Sequence, residues 1–342
     1  MTRKKRIIVV GAGITGASIA WHLAHLDFEV TIVEQDMPAS GATANAFGWL
    51  TAIVTNDAPD VLLRRAALTD WHRLEEKIPE LQINWSGSLS YGETSGVFME
   101  DETLLHRADI ARLEPALVNP PQQARYAAKD GAVDALKATR ILVNKACERG
   151  AVLQTQTTVS GFCMVKGKVT GILTSRGKMD ADCVVLACGT GIPALTEGIS
   201  IPVPILSSPA ILLRFAVPRR VVKTLISGDD IEVRHARNGD LLAAEDYPAN
   251  GNVRDTTVSA QIAVRSRLAG AESAVLIKYS VGERPVPRDG YPVLGFADEG
   301  IYVASMHPAV TCAATIGRIV SEELRDGQSD EIPQHYRPFR FK

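Results

Sequence analysis

The stretch Ile7-Ile8-Val9-Val10-Gly11-Ala12-Gly13-Ile14-Thr15-Gly16 decides the fold of this 342-residue chain. Its first four residues are apolar and β-branched, as expected for a parallel strand that is buried on both faces. From Ile14 onward the apolar residues follow a helical spacing, and Val30 to Val33 is typical of a second strand. The glycines therefore lie at the turn between strand and helix in a βαβ unit.

The spacing of these glycines indicates a dinucleotide site. Gly11 permits the tight turn, Gly13 lets the backbone approach a pyrophosphate, and Gly16 allows close packing of the helix. The helix N-terminus, at Ile14 and Thr15, adds backbone N–H groups and the positive end of the helix dipole.

An acidic residue at the end of the second strand supports the same interpretation. Glu34 follows the glycines by about 20 residues, where a carboxylate accepts hydrogen bonds from ribose hydroxyls. A carboxylate there also repels a 2′-phosphate, which disfavours NADP. We therefore expect Glu34 and its neighbour Gln35 to contact the nucleotide, which this fingerprint alone leaves open as NAD or FAD.

Composition and charge exclude several other classes of protein. Hydrophobic residues make up 46% of the chain and charged residues 22%, which is typical of a folded globular protein. A net charge of −2 gives no basic field for a phosphate backbone, so we expect no nucleic-acid partner. No uncharged apolar stretch approaches the roughly 18–20 residues that span a bilayer, although peripheral membrane association stays open.

The five cysteines contain no C-x-x-C pair. We therefore expect neither a disulfide framework nor a metal site. Reduced thiols favour a cytoplasmic location.

Four further segments bear on the cofactor. The first is dense in small and hydroxyl-bearing residues, which suits backbone that passes close to an extended ligand. In chain order the segments are Ser40 to Gly48, Asp130 to Asp134, Val184 to Gly191, and Gly282 to Gly295.

With the glycine fingerprint, these segments resemble landmarks of the D-amino-acid-oxidase superfamily of FAD-dependent oxidoreductases, which includes glycine oxidase, sarcosine oxidase and D-amino-acid dehydrogenases. The resemblance covers nearly the whole chain and implies FAD as the cofactor. It also implies noncovalent binding, because Asn45 stands where some relatives carry a flavin-linked histidine and Cys312 falls within a helical pattern.

The fold implied is α/β, with a Rossmann-like FAD-binding domain interleaved with an α+β substrate domain built on an antiparallel sheet. The expected FAD-binding domain is discontinuous and comprises residues 1–86, 130–205 and 282–342. The substrate-binding domain then comprises residues 87–129 and 206–281. Expected strands of the substrate domain include Gly87 to Tyr91 and Gly96 to Met99.

The resemblance also assigns residues to the FAD site beyond the fingerprint. From the early segment and the middle of the chain they are Ser40, Ala42, Thr43, Asn45, Ala46, Phe47, Gly48, Val159, Ala187, Cys188 and Gly189. From the C-terminal part they are Arg284, Met306, His307, Pro308, Ala309, Val310 and Thr311. The sequence departs from the family in this last loop, where Met306 precedes His307 and Thr311 replaces a glycine.

In the family, a C–H bond next to an amine nitrogen is broken by hydride transfer to flavin N5. Arg284 then becomes the expected clamp for a substrate carboxylate, because a guanidinium matches two carboxylate oxygens. The alternative is a structural ion pair of Arg284 with Glu283 or Asp289. His307 either contacts flavin or substrate or is simply packed in its loop, and no side-chain base is assigned.

A set of residues in the expected substrate sheet either faces the substrate or is structural: Glu232, Arg234, His235, Glu245 and Tyr247. Rival functions also stay open, namely an NAD-dependent dehydrogenase and a non-catalytic flavoprotein subunit of a heteromeric complex. The sequence leaves open whether oxygen or another acceptor takes the electrons, and whether the chain forms oligomers or associates with a partner subunit.

Overall fold

The computed structural model describes residues 3–52, 58–92 and 102–342. Within these residues it has seven α-helices and nineteen β-strands. The helices are α1 Ile14–Leu23, α2 Val61–Lys77, α3 Arg107–Leu113, α4 Ala135–Glu148, α5 Ile192–Thr196, α6 Val253–Arg267 and α7 Ala309–Asp326.

The first eleven strands are β1 Lys5–Val10, β2 Phe28–Val33, β3 Trp49–Leu50, β4 Ser88–Ser90, β5 Glu102–His106, β6 Gln123–Ala127, β7 Gly131–Ala132, β8 Val152–Gln154, β9 Val159–Val165, β10 Lys168–Thr174 and β11 Gly177–Asp180. The remaining eight are β12 Cys183–Leu186, β13 Ile205–Ala216, β14 Leu225–Ser227, β15 Glu232–His235, β16 Leu241–Asp246, β17 Val275–Pro287, β18 Val293–Asp298 and β19 Ile301–Ser305. The predicted strand Gly96 to Met99 lies outside the described residues.

The N-terminal βαβ unit forms the centre of a six-stranded sheet in the order β18-β19-β12-β1-β2-β8. Strand β1 pairs in parallel with β2 and β12, and only β18 runs antiparallel to its neighbour. Ile7 and Val9 pack in one core with α1, α4 and α7, whereas Ile8 and Val10 pack in another with Val169 of β10. Burial on both faces explains why this strand is apolar without alternation.

Helix α1 is shorter than its apolar spacing predicts. It ends at Leu23, and the following residues to Asp27 form turns, so Leu26 lies outside the helix. Strand β10 belongs to a separate three-stranded sheet, in the order β11-β10-β9.

The second large sheet has eight strands in the order β17-β13-β16-β15-β14-β4-β6-β5. All its neighbours run antiparallel except β14 and β4, which are parallel. One face packs on α6, where Ile211, Leu213 and Phe215 share a core with Ala260 and Val264. The predicted α/β fold with an additional antiparallel sheet is confirmed.

The predicted interleaving of domains can be compared with the two sheets. The six-stranded sheet draws its strands from residues 1–86, 130–205 and 282–342. Strand β17 of the second sheet, however, crosses the proposed boundary at residue 282. The domain limits therefore stay a prediction.

None of the helices in the described ranges combines the length and apolarity needed to cross a bilayer.

Candidate active site

The turn between β1 and α1 requires glycine for steric reasons. Gly11 adopts φ +100°, and a Cβ there would lie 2.7 Å from the carbonyl oxygen of Ala187. A Cβ on Gly16 would lie 2.0 Å from the carbonyl oxygen of Gly11. Since both contacts are with backbone atoms, side chains cannot be accommodated by small movements, and the helix N-terminus is held directly against the strand end.

A cleft of about 560 Å³ opens at this turn. It extends from Glu34 and Val159, past the glycine turn, to Met306 at the end of β19. The predicted cofactor residues that line it are Gly11, Gly13, Ile14, Thr15, Glu34, Gln35, Ser40, Ala42, Thr43, Val159, Ala187, Cys188, Gly189, Met306 and Ala309. Bare backbone at the turn and an acid at one end fit the pyrophosphate and ribose of a dinucleotide.

Glu34 is buried and holds the backbone on both sides of the cleft entrance. Its Oε2 accepts a hydrogen bond of 2.7 Å from the backbone N–H of Ala12, and its Oε1 accepts one of 3.0 Å from that of Asp36. A carboxylate has about four acceptor positions, so two remain for ribose hydroxyls. Glu34 thus shapes the glycine turn in addition to its predicted contact with ribose.

We expect Glu34→Ala to weaken FAD binding by about 10- to 100-fold, because hydrogen bonds to a charged group contribute about 1.5–3 kcal/mol. Fluorescence titration of the apoprotein with FAD measures this. Glu29→Ala is the matched control, since Glu29 is an exposed acid on β2, the strand that Glu34 directly follows. Equal affinities of Glu34→Ala and wild type would contradict the role of this carboxylate.

The stretch from Ser40 to Gly48 is here called the cofactor segment. Within it, Ala42–Asn45 forms a short 3-10 helix between α1 and the eight-stranded sheet. The Thr43 hydroxyl accepts a hydrogen bond of 3.1 Å from the backbone N–H of Ile14, at the start of α1. On the sheet side, a Cβ on Gly282 would lie 2.9 Å from the Cβ of Asn45. Gly282 therefore lets strand β17 approach the cofactor segment closely, which explains why this position is a glycine.

Arg234 supports the end of the same segment. Its Nε donates a 2.6 Å hydrogen bond to the carbonyl oxygen of Phe47, and its Nη2 donates a 3.3 Å bond to that of Val133. Its guanidinium lies 5.3 Å from the Phe47 ring centre. Burial lowers the pKa of Arg234 to about 10. This arginine is structural, and it fixes the backbone that leads into Gly48.

His235 is also occupied by backbone groups. Its Nε2 accepts a hydrogen bond of 2.8 Å from the N–H of Val221, and its Nδ1 lies 3.0 Å from the carbonyl oxygen of Gly239. Of the five residues that were candidates for facing substrate, Arg234 and His235 are therefore structural.

Arg284 lies on β17, opposite Ser208 of β13. Its Nε donates a 3.1 Å hydrogen bond to the carbonyl oxygen of Ser208, and its Nη2 lies 3.5 Å from Asp246 Oδ1. The alternative ion-pair partners were wrong, because Asp289 pairs with Arg340 and Glu283 bonds to Ser207. The Asp246 side chain is 93% exposed, so this ion pair is weak and easily replaced.

His307 lies between β19 and α7, and its side chain is exposed beside the cleft. The protein packed around the ring, together with the positive charges of Arg284 and Arg64, lowers the pKa of His307. The imidazole is therefore neutral near pH 7, with one donor and one acceptor nitrogen.

Helix α7 begins at Ala309 and contains Cys312, as the helical pattern around that cysteine predicts. Its first turn is anchored by side chains: Thr311 Oγ1 donates a 2.9 Å hydrogen bond to the carbonyl oxygen of Trp49, and Trp71 Nε1 donates one of 2.9 Å to that of Thr311. Cys312 is fully buried, and burial raises its pKa to about 12. Its thiol is therefore unsuited to attachment of a flavin.

Several predicted cofactor residues do not line the cleft itself. They are Gly16, Asn45, Ala46, Phe47, Gly48, Arg284, His307, Pro308, Val310 and Thr311. Sequence reasoning missed other lining residues, namely Val10, Val33, Asp36, Gly41, Thr157, Thr158, Thr190, Gly191, Ala194, Leu195, Glu283, Pro285, Ala304 and Ser305. Most adjoin predicted residues and could have been found by extending each motif, but Ala194 and Leu195 lie on α5 and carry no such signal.

The described part of the chain contains no group of three or more histidine, cysteine or acidic residues that could hold a metal ion.

Comparison with known proteins gives one family match, to "FAD dependent oxidoreductase", over residues 6–323. The chain is 24% identical over 373 residues to the bifunctional protein ThiO/ThiG of Trichormus variabilis, covering 100% of this chain and 56% of that protein. It is 27% identical over 244 residues to a D-amino acid dehydrogenase of Allorhizobium ampelinum, covering 67% of this chain and 57% of that one. The chain thus spans little more than half the length of these curated relatives.

Among solved structures, the glycine oxidase of Bacillus cereus superposes with a TM-score of 0.84 at 20% identity, covering 96% of each chain. This similarity supports the fold.

Proposed function

The chain belongs to the FAD-dependent oxidoreductase family, and we propose that it oxidises the C–N bond of a small amino acid or secondary amine. Substrates of the glycine, sarcosine, proline, D-amino acid and opine types all fall within this proposal. The family match confirms the predicted cofactor, FAD, and supports the prediction that the chain is an enzyme. Asn45 and the buried Cys312 thiol support noncovalent binding. The NAD-dependent alternative is accordingly set aside.

The position of Arg284 carries the proposal. Gly282 and Arg284 are two residues apart on β17, so both lie on the same face of the strand. This face contacts Asn45 of the cofactor segment at Gly282. A guanidinium on that face provides a fork for a carboxylate beside the cofactor. In the described residues its Nη1 makes no hydrogen bond, whereas its Nη2 donates to Ser208 Oγ, to the Pro209 carbonyl oxygen and to exposed Asp246. The weak contact with Asp246 is the one that a substrate carboxylate would replace.

The chemistry of the cofactor makes few demands on the protein. Bound FAD would supply the hydride acceptor. The protein then has to bind the substrate carboxylate at Arg284, orient the amine and keep neighbouring groups in suitable protonation states. Neutral His307 can donate or accept one hydrogen bond there without adding a positive charge against the substrate amine.

Anaerobic reduction of the flavin tests the proposal. The purified holoprotein is mixed with glycine, sarcosine, proline, D-amino acids and opines, one at a time, and absorbance is followed near about 450 nm, where oxidised flavin absorbs. We expect at least one of these compounds to bleach the flavin, and readmitted air to restore its colour quickly only if oxygen is the acceptor. A flavin that no member of the panel bleaches would refute the proposal and favour a non-catalytic subunit.

A further inference from the structure

The substrate side of the sheet carries a second charged group that the proposed function does not yet use. We propose that Glu232 binds a cationic nitrogen of the substrate, distant from the carboxylate that Arg284 holds. The substrate would then be an amino acid or opine with a basic side chain. This inference rests on the proposed function and narrows its substrate class.

Glu232 and Arg284 occupy the same face of the eight-stranded sheet. Glu232 is two residues before Arg234 on β15, and Arg234 reaches the carbonyl oxygen of Phe47 in the cofactor segment. Gly282 and Arg284 on β17 face that segment at Asn45. Because side chains two residues apart on a strand point to the same side, both charged groups face the cofactor segment.

The register of the strands sets the spacing between the two groups. Val233 pairs with Ala243, so Glu232 lies beside Ala244, two residues before Asp246. Diagonal neighbours of this kind are roughly 7–8 Å apart, and the Arg284 guanidinium reaches Asp246 at 3.5 Å. Glu232 is therefore about one diagonal spacing from Asp246, the residue whose carboxylate contacts the Arg284 clamp across strand β13.

This spacing is too long for the reacting α-amine alone. A nitrogen on the same carbon as a carboxylate lies within about 2.5 Å of the carboxyl carbon, given ordinary bond lengths. A substrate whose carboxylate is held by Arg284 can reach Glu232 only with a group several bonds further along. A side-chain ammonium or guanidinium meets both the distance and the charge.

Among the residues that the structure describes, Glu232 forms no ion pair, and Arg284 acts on its carboxylate only through longer-range charge. Arg234, the nearest arginine on its strand, donates instead to the carbonyl oxygens of Phe47, Val133 and His235. Burial raises the pKa of Glu232 to about 7; the negative charges of Asp246 and Glu245 add to this rise, and the Ser227 hydrogen bond and Arg284 oppose it. A cationic ligand would relieve this cost of ionisation.

The test compares substrates that differ only in a terminal ammonium: lysine with norleucine, and ornithine with norvaline, each as both enantiomers. The second-order rate constant of anaerobic flavin reduction is measured for each compound. We expect wild type to prefer the basic member at least about tenfold, as for a charge-assisted contact of about 1.5 kcal/mol or more. The preference should grow from pH 6 to pH 8, as Glu232 loses its proton.

Glu232→Gln should remove this preference while leaving the rate with the neutral member within about twofold. Glu245→Gln is the matched control and should keep the preference. Glu245 pairs with Ile211, whose side chain faces α6, so it lies on the opposite face and acts on Glu232 through its charge alone. A wild-type protein that does not favour the basic members, or a Glu232→Gln protein that keeps the preference, would overturn the inference. If only glycine, sarcosine or norleucine bleached the flavin, the inference would be overturned and the proposed function would stand. If no compound bleached it, the proposed function itself would be refuted.

Discussion

Arg284→Ala is expected to lower kcat/KM for a carboxylate substrate by about 30-fold or more, while FAD stays bound. Truncating one partner of a charge-assisted pair costs about 2–5 kcal/mol, and each 1.4 kcal/mol is a factor of ten. Because Arg284 does not line the candidate nucleotide cleft, FAD should stay bound, and most of the loss should appear as weaker substrate binding. Steady-state kinetics with the best substrate of the panel, together with the flavin content of each variant, measure both parts.

Two companion variants separate charge from geometry in this experiment. Arg288→Ala removes an exposed arginine just after the same strand and should leave kcat/KM unchanged. Arg284→Lys keeps the charge but loses the planar fork, so it should recover only part of the activity. Wild-type kinetics of Arg284→Ala would remove this residue from the substrate site.

Gly16→Val is expected to abolish FAD binding. The added side chain begins with a Cβ 2.0 Å from the carbonyl oxygen of Gly11, so α1 must move away from the turn on which the cleft is built. Overpacking of this kind costs about 1–3 kcal/mol or more, and the displaced N–H groups no longer converge on the pyrophosphate. The ratio of flavin to protein absorbance in the purified variant should fall to the level of an apoprotein.

Gly191→Ala is the control for that substitution. Gly191 also lines the cleft, but its backbone is helical with φ −81°, and a Cβ there would lie 3.8 Å from Cys188 Sγ, an ordinary contact. It should retain wild-type flavin content. If Gly16→Val retained it as well, close packing of strand, turn and helix would not be what forms the site.

The parts of the fold that could be predicted are those encoded by local patterns. Strand β1 and the start of α1 follow from an apolar run, the glycines and a helical spacing, all within a short stretch of chain. The resemblance added the antiparallel sheet and the family, and the family match bears it out. The end of α1 at Leu23 was less predictable, because the apolar spacing continues to Leu26 beyond the last helical residue.

The contacts that position the site join residues distant in sequence. The Arg284 contact with Asp246 depends on the register of β17, β13 and β16, which no local pattern specifies. Likewise, the sequence left Arg234 open as a substrate contact or a structural residue, and the fold places its donors on the carbonyl oxygens of Phe47 and Val133. Sequence patterns can therefore nominate charged residues for a site, but strand register decides which of them are free to bind substrate.

The most direct test of the account is the absorption spectrum of the purified protein under anaerobic conditions, before and after addition of an amino-acid or amine substrate. We predict a flavin band near about 450 nm that bleaches on addition of substrate, from a cofactor that is released intact as FAD when the protein is denatured. A protein that carries no flavin and cannot be reconstituted with FAD would contradict the account at its centre.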